Sequence, residues 1–205
     1  MEQFLAVAAA HFLALLIPGV DFFLIARTAM TNGWRGATGA CLGIATANGI
    51  FIAAAFSGVS LITHPLLLNV IQLAGGGFLI FIGIAFLRSR ARIDLEHAPS
   101  AQRTTWLRNS GLGIASGLLN PKNALFYVSL AAAVGTAAPW TLTLYGVWMF
   151  SIVLVWDVFV AVVLGSRRAL SRMDRIVPWL TRIAGGFLTL FGGAMILSLA
   201  IRRLG

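Results

Sequence analysis

Six apolar runs dominate the sequence, and each is about as long as a helix that crosses a lipid bilayer. Such a helix needs about 20 predominantly apolar residues. Hydrophobic residues make up 59% of the chain and charged residues only 10%, whereas soluble domains are about 45–50% apolar. The sequence therefore predicts an all-α membrane protein with six transmembrane helices. The predicted spans cover residues 4–26, 38–62, 66–87, 110–134, 141–165 and 181–201.

Most of the basic residues behind the net charge of +9 are arginines in alternate gaps between these runs. Their distribution indicates which gaps face the cytoplasm. The gaps at 62–66 and 135–140 contain no basic residue. Basic gaps are retained in the cytoplasm, so both termini are predicted on the outer side. The charge does not gather on one face, and no nucleic-acid partner is predicted. The basic gaps contain Arg27 and Arg35, then Arg88, Arg90, Arg92, Arg103 and Arg108, then Arg167, Arg168, Arg172 and Arg175.

The two halves of the chain share short sequence matches in the same order. Gly-Gly-Phe-Leu at 76–79 recurs 109 residues later, at 185–188, and a proline lies within the first span of each half, at Pro18 and Pro121. Because each half has three spans, an odd number, the second half must be inverted in the membrane. Inverted repeats are typical of transporters. The predicted parts are residues 1–97 as the first three-helix repeat, 98–109 as the end of the Arg-rich linker, and 110–205 as the second repeat.

The prolines of spans one and four predict broken helices. A proline inside a helix removes a backbone hydrogen bond, and in a membrane such a break is tolerated where it is buried or lines a cavity. Each break creates a half-helix N-terminus that favours an anion. We therefore predict a central substrate site. Its candidate residues are Pro18, Gly19, Asp21, Asn48, Asn120, Pro121, Lys122 and Asn123.

Three charged residues lie inside the predicted spans: Asp21, Lys122 and Asp157. Each costs about 2.5–3.5 kcal/mol on insertion scales, which makes them functional candidates. Asp21 and Asp157 are the candidates for carrying a coupled proton, and Asp157 aligns with Asn48 in the repeat. A purely structural Asp–Lys pair is the alternative. His11 is interpreted as a polar packing group.

These residues resemble the LysE/RhtB family of bacterial amino-acid exporters. The resemblance rests on Pro-Gly-Val-Asp at 18–21, the glycine-rich start of span two, and Leu-Leu-Asn-Pro-Lys-Asn at 118–123. Val20 departs from the Pro-Gly-Pro that is usual in the family. The resemblance implies export of amino acids or related zwitterions in exchange for protons, a homodimer, and a location in the bacterial inner membrane. Neither a cofactor nor a metal site is predicted for this sequence.

Three other functions compete with this interpretation. A cation exporter of a related family would need suitable ligands, but the single cysteine and the scattered histidines form no metal-binding pattern. A membrane enzyme would need a constellation such as a Ser–His pair or clustered carboxylates, and the sequence shows none. An assembly subunit or receptor would move no solute.

Overall fold

The computed structural model describes residues 2–61, 65–88, 104–134, 137–165 and 167–204, and within them the only regular structure is helix. Four stretches are long and apolar enough to span a membrane: Val20–Gly58, Asn69–Arg88, Pro139–Leu164 and Thr181–Ile201. The protein is therefore an all-α, multi-pass membrane protein. The helices are α1 (Glu2–Leu15), α2 (Val20–Leu61), α3 (Pro65–Arg88), α4 (Trp106–Leu119), α5 (Pro121–Val134), α6 (Pro139–Leu164) and α7 (Arg167–Leu204).

The predicted breaks in spans one and four are present in the structure. Helix α1 ends at Leu15, and α2 begins only at Val20. Helix α4 ends at Leu119, and Asn120 is extended, with φ −84° and ψ 102°. Helix α5 then begins at Pro121, a first helical position where the missing N–H of proline costs no hydrogen bond.

Two of the arginine-rich gaps between the predicted spans are largely helical in the structure. The chain is helical from Val20 to Leu61 and bends only at Gly33, which has φ 73° and ψ 165°. This conformation is essentially restricted to glycine. Helix α7 already begins at Arg167, 14 residues before the predicted span. Arginine is a good helix former, so a helix can continue beyond its apolar part. The turn predicted at 62–66 and the arginine gap after span three lie largely outside the described residues.

Helices α3 and α7 pack along a seam of glycines. A Cβ atom at Gly76 would lie 3.0 Å from the backbone oxygen of Gly192, and one at Gly185 would lie 2.7 Å from that of Gly83. Backbones approach this closely only where side chains are missing. The pairing is reciprocal, because Gly185 and Gly192 are the repeat counterparts of Gly76 and Gly83. These glycines therefore form the contact between the two helices.

A second glycine seam joins α2 to α4. A Cβ atom at Gly43 would collide with the backbone oxygen of Ser110, and one at Gly113 with that of Ala40. Asn109 adds a hydrogen bond across the same contact, because its Nδ2 donates to the oxygen of Gly36 at 3.0 Å. The seam therefore holds half of broken span four directly against span two.

Two apolar cores flank the break between α1 and α2. Ile17, in the break, packs in a core that also contains Phe126 of α5 and Leu188 of α7. Phe22, at the start of α2, packs in a second core with Val160 of α6. The break therefore lies between two packed regions, where its backbone is shielded from lipid.

Adjacent glycines of α7 provide a matched test of the seam. A Cβ atom at Gly192 would lie 2.5 Å from the oxygen of Gly76, whereas nothing lies within 4 Å of one at Gly193. We expect Gly192→Ala to lower the free energy of unfolding by about 1–3 kcal/mol, because it forces α3 and α7 apart. Gly193→Ala should leave it unchanged or raise it by up to about 1 kcal/mol, because alanine favours helix. Thermal unfolding in detergent measures the stability of both variants. Equal unfolding midpoints would contradict a tight glycine contact between α3 and α7.

Candidate functional site

The carboxylate of Asp21 lies against the break in span four. Ser116 Oγ donates to its Oδ1 at 2.6 Å, while Asn123 Nδ2 and Asn120 Nδ2 donate to its Oδ2 at 3.0 and 3.3 Å. Asp21 is also in the first turn of α2, where the helix dipole favours a negative charge. Both carboxylate oxygens are thus held by neutral donors on either side of the break between α4 and α5.

The ammonium group of Lys122 lies at the other break. Its Nζ would be 3.4 Å from a Cβ atom at Gly19, between α1 and α2. Among the described residues Nζ has no hydrogen-bond or ion-pair partner, although the backbone N–H of Lys122 donates to Asn120 Oδ1 at 3.1 Å. Lys122 and Asp21 make no direct contact, but their charges are close enough for Asp21 to stabilise the ammonium electrostatically. The Asp–Lys pair that the sequence left open is therefore a longer-range interaction. Lys122 also stands at the N-terminus of α5, where the dipole opposes a cation.

A small cavity of about 50 Å³ connects these groups, and we call it the polar cavity. Asp157 of α6 is buried beside it, and its Oδ2 has no hydrogen-bond partner in the described part of the chain. Asn48 of α2 lies opposite, with its Nδ2 donating to the oxygen of Ile44 at 2.8 Å. The polar and charged side chains that line the polar cavity are Asp21, Asn48, Lys122, Asn123 and Asp157.

A second cavity of about 40 Å³ shares Asn48, Lys122 and Asn123 with the first. We call it the aromatic cavity, because rings and aliphatic side chains form most of its wall. Lys122 therefore stands at the border between a charged and a largely apolar space. The residues that line only the aromatic cavity are His11, Phe78, Ile82, Phe86, Phe126, Tyr127 and Leu188.

A larger cavity of about 500 Å³ lies between α2 and α6, but its chemistry is different. Its wall includes Phe56, Leu142 and Phe150 and contains no charged side chain. We therefore assign the site to the two small cavities, where the charged groups meet. Among the described residues no group of three or more His, Cys, Asp or Glu side chains could hold a metal ion.

The family of the chain follows from comparison with known proteins. Residues 12–199 match the family described as LysE type translocator. This chain belongs to the LysE-type translocators. The predicted resemblance is confirmed, and the protein is a transporter rather than an enzyme. No solved structure matches the chain.

Several relatives of this translocator are described by what they export. The threonine efflux protein of Escherichia coli (strain K12) is 30% identical over 95% of this chain and 98% of its own length. The threonine efflux protein of Salmonella typhimurium is 28% identical over 97% of this chain and 99% of its own. A leucine efflux protein of Klebsiella pneumoniae is 29% identical over 56% of this chain and 55% of its own.

Most of the site residues predicted from the sequence of this translocator meet at the two cavities. Asn120 lies behind the site, where it holds Asp21 rather than lining a cavity. Pro18 lies in the break but lines neither cavity, and the side chain of Pro121 is outside the described part. The two prolines therefore contribute to the site by interrupting the helices.

Sequence reasoning missed three side chains of this site: Ser116, Tyr127 and the cavity-lining His11. Ser116 is four residues before Asn120, and Tyr127 is four residues after Asn123. Helix residues four apart share a face, so this spacing was an available signal for both. No comparable local signal points to His11, because its neighbours in the cavity come from α2, α3, α5 and α7.

Ser116 offers a test of how the break holds Asp21. We expect Ser116→Ala to lower the free energy of unfolding by about 1.5–3 kcal/mol, because it removes a hydrogen bond to a charged group. The control is Ser151→Ala on exposed α6 surface, where the hydroxyl only donates to the oxygen of Val147 in its own helix at 2.8 Å. Unfolding in detergent should separate the two variants. A loss no larger for Ser116→Ala than for Ser151→Ala would exclude this role.

Proposed function

We propose that this translocator exports amino acids across the bacterial inner membrane by alternating access. One observation carries the proposal: Lys122 holds its ammonium at the helix break beside Gly19, where it lines the polar cavity and makes no direct hydrogen bond to a described side chain. A cation inside a membrane protein without a partner costs several kcal/mol. A substrate carboxylate would supply the partner, and the half-helix N-termini at both breaks also favour an anion.

Threonine is the first substrate to test, because two relatives that match nearly the whole chain are described as threonine efflux proteins. The local chemistry suits a zwitterion of this size. Lys122 would bind the carboxylate, and Asp157, whose Oδ2 is unpartnered in the described part, would bind the ammonium. Both groups line the same cavity of about 50 Å³, which is too small for a large solute.

Proton antiport is the proposed coupling, with Asp157 as the proton carrier. Asp21 was the other candidate, but both of its oxygens already accept hydrogen bonds. A carboxylate that takes up a proton must find room for an O–H group, and the unpartnered Oδ2 of Asp157 offers it. Binding of the substrate ammonium and of a proton at one carboxylate would be mutually exclusive, and this is the requirement for exchange.

The proposed architecture is two inverted three-span repeats, with both termini on the outer side. Its support is the order of elements. When α2 is divided at its kink at Gly33, each half has a broken span followed by two long helices, with the breaks at Pro18 and Pro121. The reciprocal glycine contacts between α3 and α7 fit a two-fold relation between the halves. The arginine distribution supports the orientation. A homodimer is part of the proposal, on the family resemblance alone.

Replacement of Lys122 tests the substrate site. We expect Lys122→Ala to abolish threonine efflux from loaded proteoliposomes, because no other cation lines either cavity. Membrane insertion should be unchanged, since the substitution removes a charge from a span. Arg108→Ala, at the exposed start of α4, is the control and should export normally. Full export by Lys122→Ala would refute the assignment.

Replacement of Asp157 tests the coupling. Asp157→Asn has nearly the same shape but cannot take up or release a proton. We expect exchange of threonine for threonine to persist at a reduced rate, while export driven by a pH gradient falls to the rate without a gradient. Asp21→Asn is the comparator. If gradient-driven export is intact in Asp157→Asn but lost in Asp21→Asn, then Asp21 and not Asp157 is the proton carrier.

A further inference from the structure

The aromatic cavity contains a buried polar pair that the mechanism above does not use. His11 Nε2 and the Tyr127 hydroxyl are 3.2 Å apart, and both side chains are almost completely buried. Rings surround the histidine, with Phe126 and Trp148 at centroid distances of 6.3 and 5.7 Å. His11 Nδ1 has no hydrogen-bond partner among the described residues. A packing role, as interpreted from the sequence, would not require this unsatisfied atom.

The pair has the same spare hydrogen-bonding capacity in either form of the neutral imidazole. If Tyr127 donates to Nε2, then Nδ1 carries a hydrogen that nothing accepts. If Nε2 donates to Tyr127, then the tyrosine O–H is the spare donor and Nδ1 is a spare acceptor. One donor and at least one acceptor site are therefore left over in both cases. A ligand hydroxyl, which has one hydrogen and two lone pairs, complements this set.

The other residues that line the aromatic cavity limit the size and polarity of a substrate side chain that can enter it. Phe78, Ile82, Phe86 and Leu188 form an apolar lining around the pair. The volume of about 40 Å³ holds only a few water-sized groups. A pocket of this kind, apolar with a few placed polar groups, takes its specificity from those groups. The side chain of a small hydroxylated amino acid has the size and the polarity required.

An amino acid carries its three groups on one carbon, and the site offers one place for each. With the carboxylate on Lys122 and the ammonium toward Asp157 in the polar cavity, the side chain is directed into the aromatic cavity that Lys122 also borders. We infer that His11 and Tyr127 are the specificity-determining residues of this translocator, and that they select a substrate with a side-chain hydroxyl. The inference rests on the proposed export of amino acids.

Threonine and valine are the discriminating substrates, because they differ only by a hydroxyl in place of a methyl group. In proteoliposomes we expect the wild-type protein to export threonine in clear preference to valine. Tyr127→Phe should lower the threonine-to-valine ratio by at least about tenfold, because it removes the hydroxyl that bonds to His11 and leaves buried groups unmatched. His11→Phe should shift the ratio in the same direction while keeping an aromatic ring beside Phe126 and Trp148.

The chain contains one other tyrosine, Tyr145, which provides the matched control. Tyr145 packs against Phe4, with centroids 5.2 Å apart, and lines neither small cavity. Tyr145→Phe should keep the wild-type ratio. A wild-type protein that exports both substrates equally, or a Tyr127→Phe variant that loses both in proportion, would overturn the selectivity and leave amino-acid export standing. Export of no amino acid by the wild-type protein would overturn both proposals.

Discussion

The fold depends on two helix breaks, and the charged residue beside each break lies against the other one. Asp21, at the break in span one, is held by donors from span four, and Lys122, at the break in span four, lies beside Gly19 of span one. Each break therefore fills the gap left by the other. The two charges differ in their hydrogen bonds: both oxygens of Asp21 accept them, whereas Lys122 interacts with Asp21 only through the longer-range attraction of opposite charges. The structure stabilises one charge and leaves the second available.

Unsatisfied polar atoms concentrate where the charges meet. Elsewhere in the spans, hydroxyl groups bond to their own helix, as Thr46 does to the oxygen of Leu42 and Ser129 to that of Leu125. Three buried side-chain atoms in the described part have no partner, and two of them, His11 Nδ1 and Asp157 Oδ2, belong to residues that line the small cavities. Such atoms are costly in an apolar medium, so their shared location favours a role in binding.

The sequence predicted the all-α membrane fold and the two breaks because apolar length and proline act locally. Of the six predicted spans, four stretches are long and apolar enough to cross a membrane. It predicted loops around Arg27 and Arg167 where the structure is helical, since arginine marks the end of an apolar run and not the end of a helix. Long-range contacts were less accessible. Asp21 accepts its hydrogen bonds from neutral donors such as Ser116, more than 90 residues away, and single-sequence patterns do not reveal which donor a carboxylate will find.

The proposed inverted repeat would explain why the charges at the two breaks differ. The glycine contacts of α3 and α7 are reciprocal, and the hydrogen bond from Asn123 to Asp21 joins the two breaks. Identical charges at both breaks would repel each other at short range in a medium of low dielectric constant. Opposite charges remove that repulsion. Asn48 and its aligned counterpart Asp157 differ in the same way, as an amide and a carboxylate. The polar cavity is therefore lined by one ammonium, that of Lys122, and by a carboxylate with an unpartnered oxygen, that of Asp157.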